Sequence, residues 1–202
     1  KGLAKFCDVF CEKGVFSIEQ SRKILEAGKS YGLIPKIHAD EIKPLGGAEL
    51  AADIGCITAD HLVAASEEGM KRMSEEKVIA NLLPGTSFNL QSGNFAKARK
   101  LIEIGVPVSL STDYNPGSCP TENLQLIMSF ASLIMKMTPE EVITAVTING
   151  ACSLGLESKK GSIEEGKKAD LVIFDAPNLN YIIYHFGINH VEKVIKDGIV
   201  IK

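Results

Sequence analysis

No apolar run in this 202-residue sequence approaches the roughly 20 residues that a membrane-crossing helix needs. The opening Lys1-Gly2-Leu3 has no apolar stretch of signal-peptide type, so no leader is expected there. Charge of one sign is not concentrated anywhere. The 22 basic and 25 acidic residues leave a net charge of −3 and are scattered, which argues against a nucleic-acid or membrane surface. The 5 cysteines lack disulfide or metal spacing. Cys7 and Cys11 flank Asp8-Val9-Phe10, which reads as strand and places both thiols on one face; all read as buried free thiols of a reducing cytoplasm. Gly46-Gly47 lacks phosphate-loop spacing and reads as a helix-start turn. Ser111 and Ser118 lack the nucleophile-elbow context of a serine hydrolase. There is no repeat and no low-complexity tract. What remains, 45% hydrophobic and 23% charged residues, is the balance of a globular protein long enough to bury a core.

Short apolar runs alternate with helical stretches. Asp8–Cys11, Lys36–Ala39, Ile57–His61, Val78–Leu83 and Val106–Ser111 read as strands. Between them, a capping box at Ser17-Ile18-Glu19-Gln20 opens a helix to about Tyr31, and an Ala-rich helix runs through Glu49–Ala52 and closes near Gly55. Further helices are expected from Ser66 to about Met73 and from Asn94 to Ile104, with Pro84–Phe88 as a loop. Repeats of this kind are βα units with parallel strands, and both an open doubly wound sheet and a (β/α)₈ barrel fit them. The polar residues favour the barrel: His38, Asp40, Glu41, His61, Asp113 and Asn115 all fall at the C-terminal ends of strands, where a barrel assembles its site. Beyond residue 120 the pattern turns helical, with Thr121 capping a helix through Met135, Thr138-Pro139-Glu140-Glu141 starting another to about Ile148, and a further short one ending near Gly155. From Gly161 strands return, Ala169–Asp175 and Val191–Val200, with Asp197-Gly198 as a hairpin signal. The expected fold class is therefore α/β: residues 1–155 a portion of a (β/α)₈ TIM-type barrel, residues 156–202 part of a small β-sandwich. Five strands do not close an eight-stranded barrel, so the sequence reads as starting partway round one.

Three strand ends carry chemistry. His38 with Glu41 three residues on offers a metal ligand beside a carboxylate able to take and return the proton of a metal-bound water. Asp60-His61 ends the next strand, and Asp113 the last; after it Asn115, Gly117 and Ser118 form a turn whose N–H groups can nest an anionic or amide ligand. Taken singly, each has a structural explanation: a hydrogen-bonded His, an Asp that orients its neighbour, a capped Pro-Gly turn. Three strand ends in the order His, His, Asp favour a catalytic constellation. His185 and His190 lie in the C-terminal strand-and-turn region, away from the barrel mouth, and read as structural or surface residues.

The segments Asp8–Glu12, Lys36–Glu41, Ala59–Leu62, Leu83–Thr86, Ser111–Ser118, Gly166–Ile173 and Phe186–Asn189 resemble the imidazolonepropionase family of metal-dependent amidohydrolases. The resemblance spans essentially the whole sequence and corresponds to the C-terminal half of that family. It implies hydrolysis of the cyclic amide of 4-imidazolone-5-propanoate to N-formimidoyl-L-glutamate in histidine degradation. It further implies one metal ion, Zn or Fe, bound at His38 and Asp113; Glu41 and His61 as proton-transfer residues; and Glu41, Asn115, Gly117 and Ser118 as substrate contacts. The family also uses a His-x-His pair, which this sequence lacks, so the chain by itself is expected to be inactive and to bind metal weakly. Expected partners are the small-molecule substrate and a second copy of the chain in a homo-oligomeric dimer, with no nucleic acid and no membrane. A related deaminase acting on a nucleobase, or a non-catalytic truncated domain, are the competing readings.

Overall fold

The structure, a computed structural model, describes residues 2–202; Lys1 of the opening tripeptide lies outside the described residues. Its larger sheet contains β1 (Phe6–Cys7), β2 (Phe10–Cys11), β3 (Ile34–Ala39), β4 (Thr58–His61), β5 (Ile79–Leu82) and β6 (Val108–Leu110). All its pairings are parallel, and both β1 and β2 pair with β3. The pairs Phe6↔Ile34 and Phe10↔His38 share one register, so β1 and β2 are a single strand interrupted at Asp8-Val9, where one continuous run was expected. From there the sheet proceeds β3, β4, β5, β6 in sequence order. An open doubly wound sheet reverses direction at a switch point; this one does not, which makes it an arc of a barrel.

The helices α1 (Ile18–Ser30), α2 (Gly47–Ile54), α3 (Glu67–Glu75), α4 (Pro84–Asn89) and α5 (Ala98–Ile104) alternate with these strands. Their starts follow local chemistry. Ser17 and Gln20 cap α1 reciprocally, and Ser66 accepts from the Gly69 amide at the start of α3. Gly55 ends α2 with φ of 69°, a left-handed turn that glycine takes without penalty. Alternation in β3 divides its side chains: Pro35, Ile37 and Ala39 are buried against the helices, and Ile34, Lys36 and His38 are half-buried on the concave face. The core lies between sheet and helices and includes Leu25, Ile37, Leu50, Met70, Leu82 and Leu101, all essentially inaccessible.

Three expectations are corrected. Pro84–Phe88 is no loop but most of α4, with Pro84 at its first position and Pro84 to Ser87 buried. The helix expected from Asn94 starts only at Ala98, because Ser92 and Asn94 bond each other's backbone in a local turn that competes with helix. Asn123, rather than Thr121, caps α6 (Leu124–Leu133), accepting from the Leu126 amide, and this helix stops short of Met135. As expected, Thr138 caps α7 (Pro139–Val146), and a second short helix, α8 (Ile148–Cys152), follows after Thr147. A helix with no periodic signal in the sequence, α9 (Leu179–Tyr184), follows an Asn178 cap.

The C-terminal segment forms a separate antiparallel sheet of β7 (Leu171–Phe174), β8 (Val191–Lys196) and β9 (Ile199–Val200). At its hairpin Asp197 and Gly198 both have positive φ, as a tight two-residue turn requires. Among the described residues no helix is long and apolar enough to cross a membrane, and all 5 cysteines are unbonded.

Candidate metal centre

The C-terminal ends of β3, β4 and β6 converge. His38, His61 and Asp113 each offer one ligand atom, and these atoms lie within 4.8 Å of one another. The His38 and His61 rings stand 5.3 Å apart. His61 Nε2 is 3.6 Å from Glu41 Oε2 and 4.0 Å from Asp113 Oδ2, so the four residues singled out at the strand ends are brought together.

The backbone is bent to achieve this. Asp40, His61 and Asp113 have φ of 49°, 72° and 56°, left-handed values that cost a non-glycine residue energy. His61 pairs in register with Ala39, which faces the helices, yet its ring stands against that of His38. Two buried carboxylates hold the loops. Asp40 accepts from the amides of Leu45, Gly46, Gly47 and Ala48 at the start of α2. Glu12, at the end of β2, accepts from the amides of Ile42 and Lys43 and so fixes the turn carrying Glu41.

Charge is unevenly distributed. Burial acts to lower the basicity of His38 but is outweighed by Asp8, whose Oδ2 lies 2.8 Å from the ring Nδ1; with Asp60 and Asp113 adding, the His38 pKa is pushed up to about 8. His61 is deeply buried, and burial with the neighbouring His38 charge holds its pKa down to about 4. Burial, then Asp113, raises the Glu41 carboxyl above its ordinary value, the direction that suits proton transfer near neutrality. Asp60, in register with His38, is buried with Oδ1 unpartnered, and burial raises its carboxyl.

Two imidazoles and a carboxylate within one ion's reach are a donor set suited to Zn or Fe. His38 Nδ1 also has no aligned hydrogen-bond partner despite the nearby Asp8. These residues fit a metal ion. The Asn115 turn is arranged differently from an open nest: Asn115 Oδ1 accepts from the Gly117 and Ser118 amides at 2.9 and 2.8 Å, and its Nδ2 donates to Asp113 O and Ser118 Oγ. The loop is closed on itself. Asp8 and Thr86, whose hydroxyl donates to Asp113 Oδ2, were not singled out for these roles in the sequence. His185 and His190 lie elsewhere, against Tyr181 beside α9.

A parallel arc with metal-competent residues at its strand ends is the architecture of a barrel hydrolase, and the model of the amidohydrolase family matches residues 21–202. The chain belongs to the amidohydrolase family. Within it, the chain is 66% identical over 198 residues to an imidazolonepropionase of Alkaliphilus metalliredigens, covering 98% of this chain and 47% of that protein. It is 60% identical over 200 residues to an imidazolonepropionase of Geobacillus sp., with 99% and 47% covered. The chain thus spans about half the length of the curated relatives it matches. Among solved structures, an adenosine deaminase from Xanthomonas campestris with bound zinc superposes with a TM-score of 0.76 at 20% identity, over 92% of this chain and 49% of that one. A Xaa-Pro dipeptidase with methionine in its active site gives 0.78 at 22% identity, over 99% and 55%. These two show the fold.

Proposed function

We propose that the site takes part in hydrolysing the cyclic amide of 4-imidazolone-5-propanoate to N-formimidoyl-L-glutamate, a step of histidine degradation. The observation that carries this reading is the gathering of His38, His61 and Asp113 beside Glu41, in a chain so similar to imidazolonepropionases. His38 and Asp113 would hold one Zn or Fe ion, with His61 within reach of the same ion. A metal ion bound there supplies carbonyl polarisation and a water acidified towards neutrality. Glu41, with its raised carboxyl, takes the proton from the attacking water and returns it to the departing ring nitrogen. His61, kept neutral by burial, polarises the carbonyl or assists as base. The loop of Asn115, Gly117 and Ser118 forms the substrate wall on the β6 side, its amides being engaged by Asn115 in the state described here. Residues 1–155 belong to the barrel and 156–202 to a small β-sandwich in this reading, and the unbonded thiols suit a cytoplasmic enzyme.

The test joins this chain to the first half of the Alkaliphilus metalliredigens relative and follows loss of imidazolonepropanoate and formation of formimidoylglutamate. The fusion is expected to turn over substrate, the Asp113→Asn fusion and the separate 202-residue chain to show none. Ammonia release from cytosine or guanine by the fusion, without imidazolonepropanoate turnover, would replace this reading with a deaminase.

A further inference from the structure

We propose that Thr86 is a positioning residue for Asp113: its hydroxyl fixes the carboxylate in the orientation that the metal set needs. The inference rests on the metal reading above and adds a residue to it.

Three contacts tie α4 to the segment 112–119. Thr86, buried on the first turn of α4, donates its hydroxyl hydrogen to Asp113 Oδ2, the oxygen that faces His61 Nε2. The preceding Gly85 lies so close to this segment that a Cβ there would stand 2.7 Å from Cys119 Sγ and 3.5 Å from the Thr112 carbonyl oxygen. Asn89, at the end of α4, donates to the Ser118 carbonyl at 2.9 Å. The hydroxyl is therefore delivered by a helix that cannot slide away from the carboxylate it serves.

Asp113 needs this support. It lies beyond the end of β6, in a left-handed backbone conformation and a loop that bonds mainly to itself, so the ladder does not set its side-chain rotation. A carboxylate free to rotate would carry Oδ2 out of its place 4.0 Å from His61 Nε2, where the donors converge. With Oδ2 accepting the Thr86 hydrogen, the rotation is fixed, and the carboxylate keeps lone pairs free to ligate on the side of His61. A ligand's hydrogen-bonded support of this kind raises metal affinity without touching the ion.

The test titrates the fusion described above with Co²⁺ and reads its visible absorption, with thermal unfolding as the control for folding. Thr86→Val keeps the shape of the side chain and removes the hydroxyl; Thr86→Ala removes both bulk and hydroxyl, so that a folded hydroxyl-free chain is in hand; Thr86→Ser keeps the hydroxyl. Loss of the hydroxyl is expected to weaken Co²⁺ binding about tenfold or more at an unfolding temperature near the parent's, the scale typical of such supporting bonds. Thr86→Ser should bind like the parent. If the folded Val and Ala variants bind Co²⁺ as the parent does, the assignment of Thr86 is overturned while the metal site stands. If the parent fusion binds no Co²⁺, the metal reading is overturned and this assignment falls with it.

Discussion

Asp40 and Asp113 both follow strand ends and both sit in left-handed backbone, yet their tasks differ. Asp40 is inaccessible and accepts four amides, so it is part of the frame. Asp40→Ala strands these donors and is expected to cost about 3 kcal/mol or more in denaturant unfolding, since bonds to a charged group are worth about 1.5–3 kcal/mol each. Asp8 acts on His38 through charge. Because the pair raises the His38 pKa from 6.5 to about 8, its stabilisation is complete below pH 6.5 and is lost as pH rises through about 8. In the metal-free chain, Asp8→Asn is expected to bring the His38 midpoint down from about 8, read by NMR titration of the ring proton. His38, His61 and Asp113 were legible in the sequence because a strand end is a place that alternation and turn residues mark. Asp8 and Thr86 were not, because their roles depend on which side chains meet across neighbouring strands. The Asn115 turn shows the converse: the same polar residues spell an open nest or a turn that bonds to itself, and only the backbone decides.

At the scale of elements, α5 and α7 are joined by a two-pronged bond, Arg99 Nη1 and Nη2 to Glu141 Oε2 and Oε1 at 2.9 and 2.6 Å. Glu141 also closes the capping box of α7 by accepting from the Thr138 amide. Thr138→Ala is expected to destabilise the chain by about 1 kcal/mol in denaturant unfolding, the usual loss for an N-cap. The small sheet is anchored at Asp170, which accepts from Lys160, Lys196 and the Asp197 amide. Those partners hold its carboxyl well below the ordinary range, so its contribution is present above about pH 4 and lost as pH falls further. The gap in unfolding temperature between the parent and Asp170→Asn should therefore narrow in acid; a constant gap would refute the anchor. Elements announced by a cap, such as α1, α3 and α7, were legible because capping is chemistry between residues a few positions apart. The short helix α4 was hidden: Pro84-Gly85-Thr86-Ser87 spells a loop, and its helical form depends on packing against Cys119 and Ile127.

At the scale of the molecule, the parallel arc has two open flanks, the interrupted strand β1–β2 and the short strand β6. Part of the β6 flank is covered, since Asn149 on α8 donates to the Val108 carbonyl at 2.8 Å. The small sheet exposes apolar side chains, with Val172, Ile173, Ile199 and Val200 each between 43% and 68% accessible. Open strand edges and apolar surface both favour association. The 202-residue chain is expected to sediment as a homo-oligomer, a dimer or larger; a monomer of 21.7 kDa across the concentration range would count against this. That the strands lie side by side in the order of the chain carries a consequence for synthesis. Phe6 meets Ile34 and His38 meets Asp60, each within a few tens of residues. At translation rates of about 5–20 residues per second, a newly made strand waits only seconds for its neighbour. The arc can thus assemble on the ribosome one βα unit at a time.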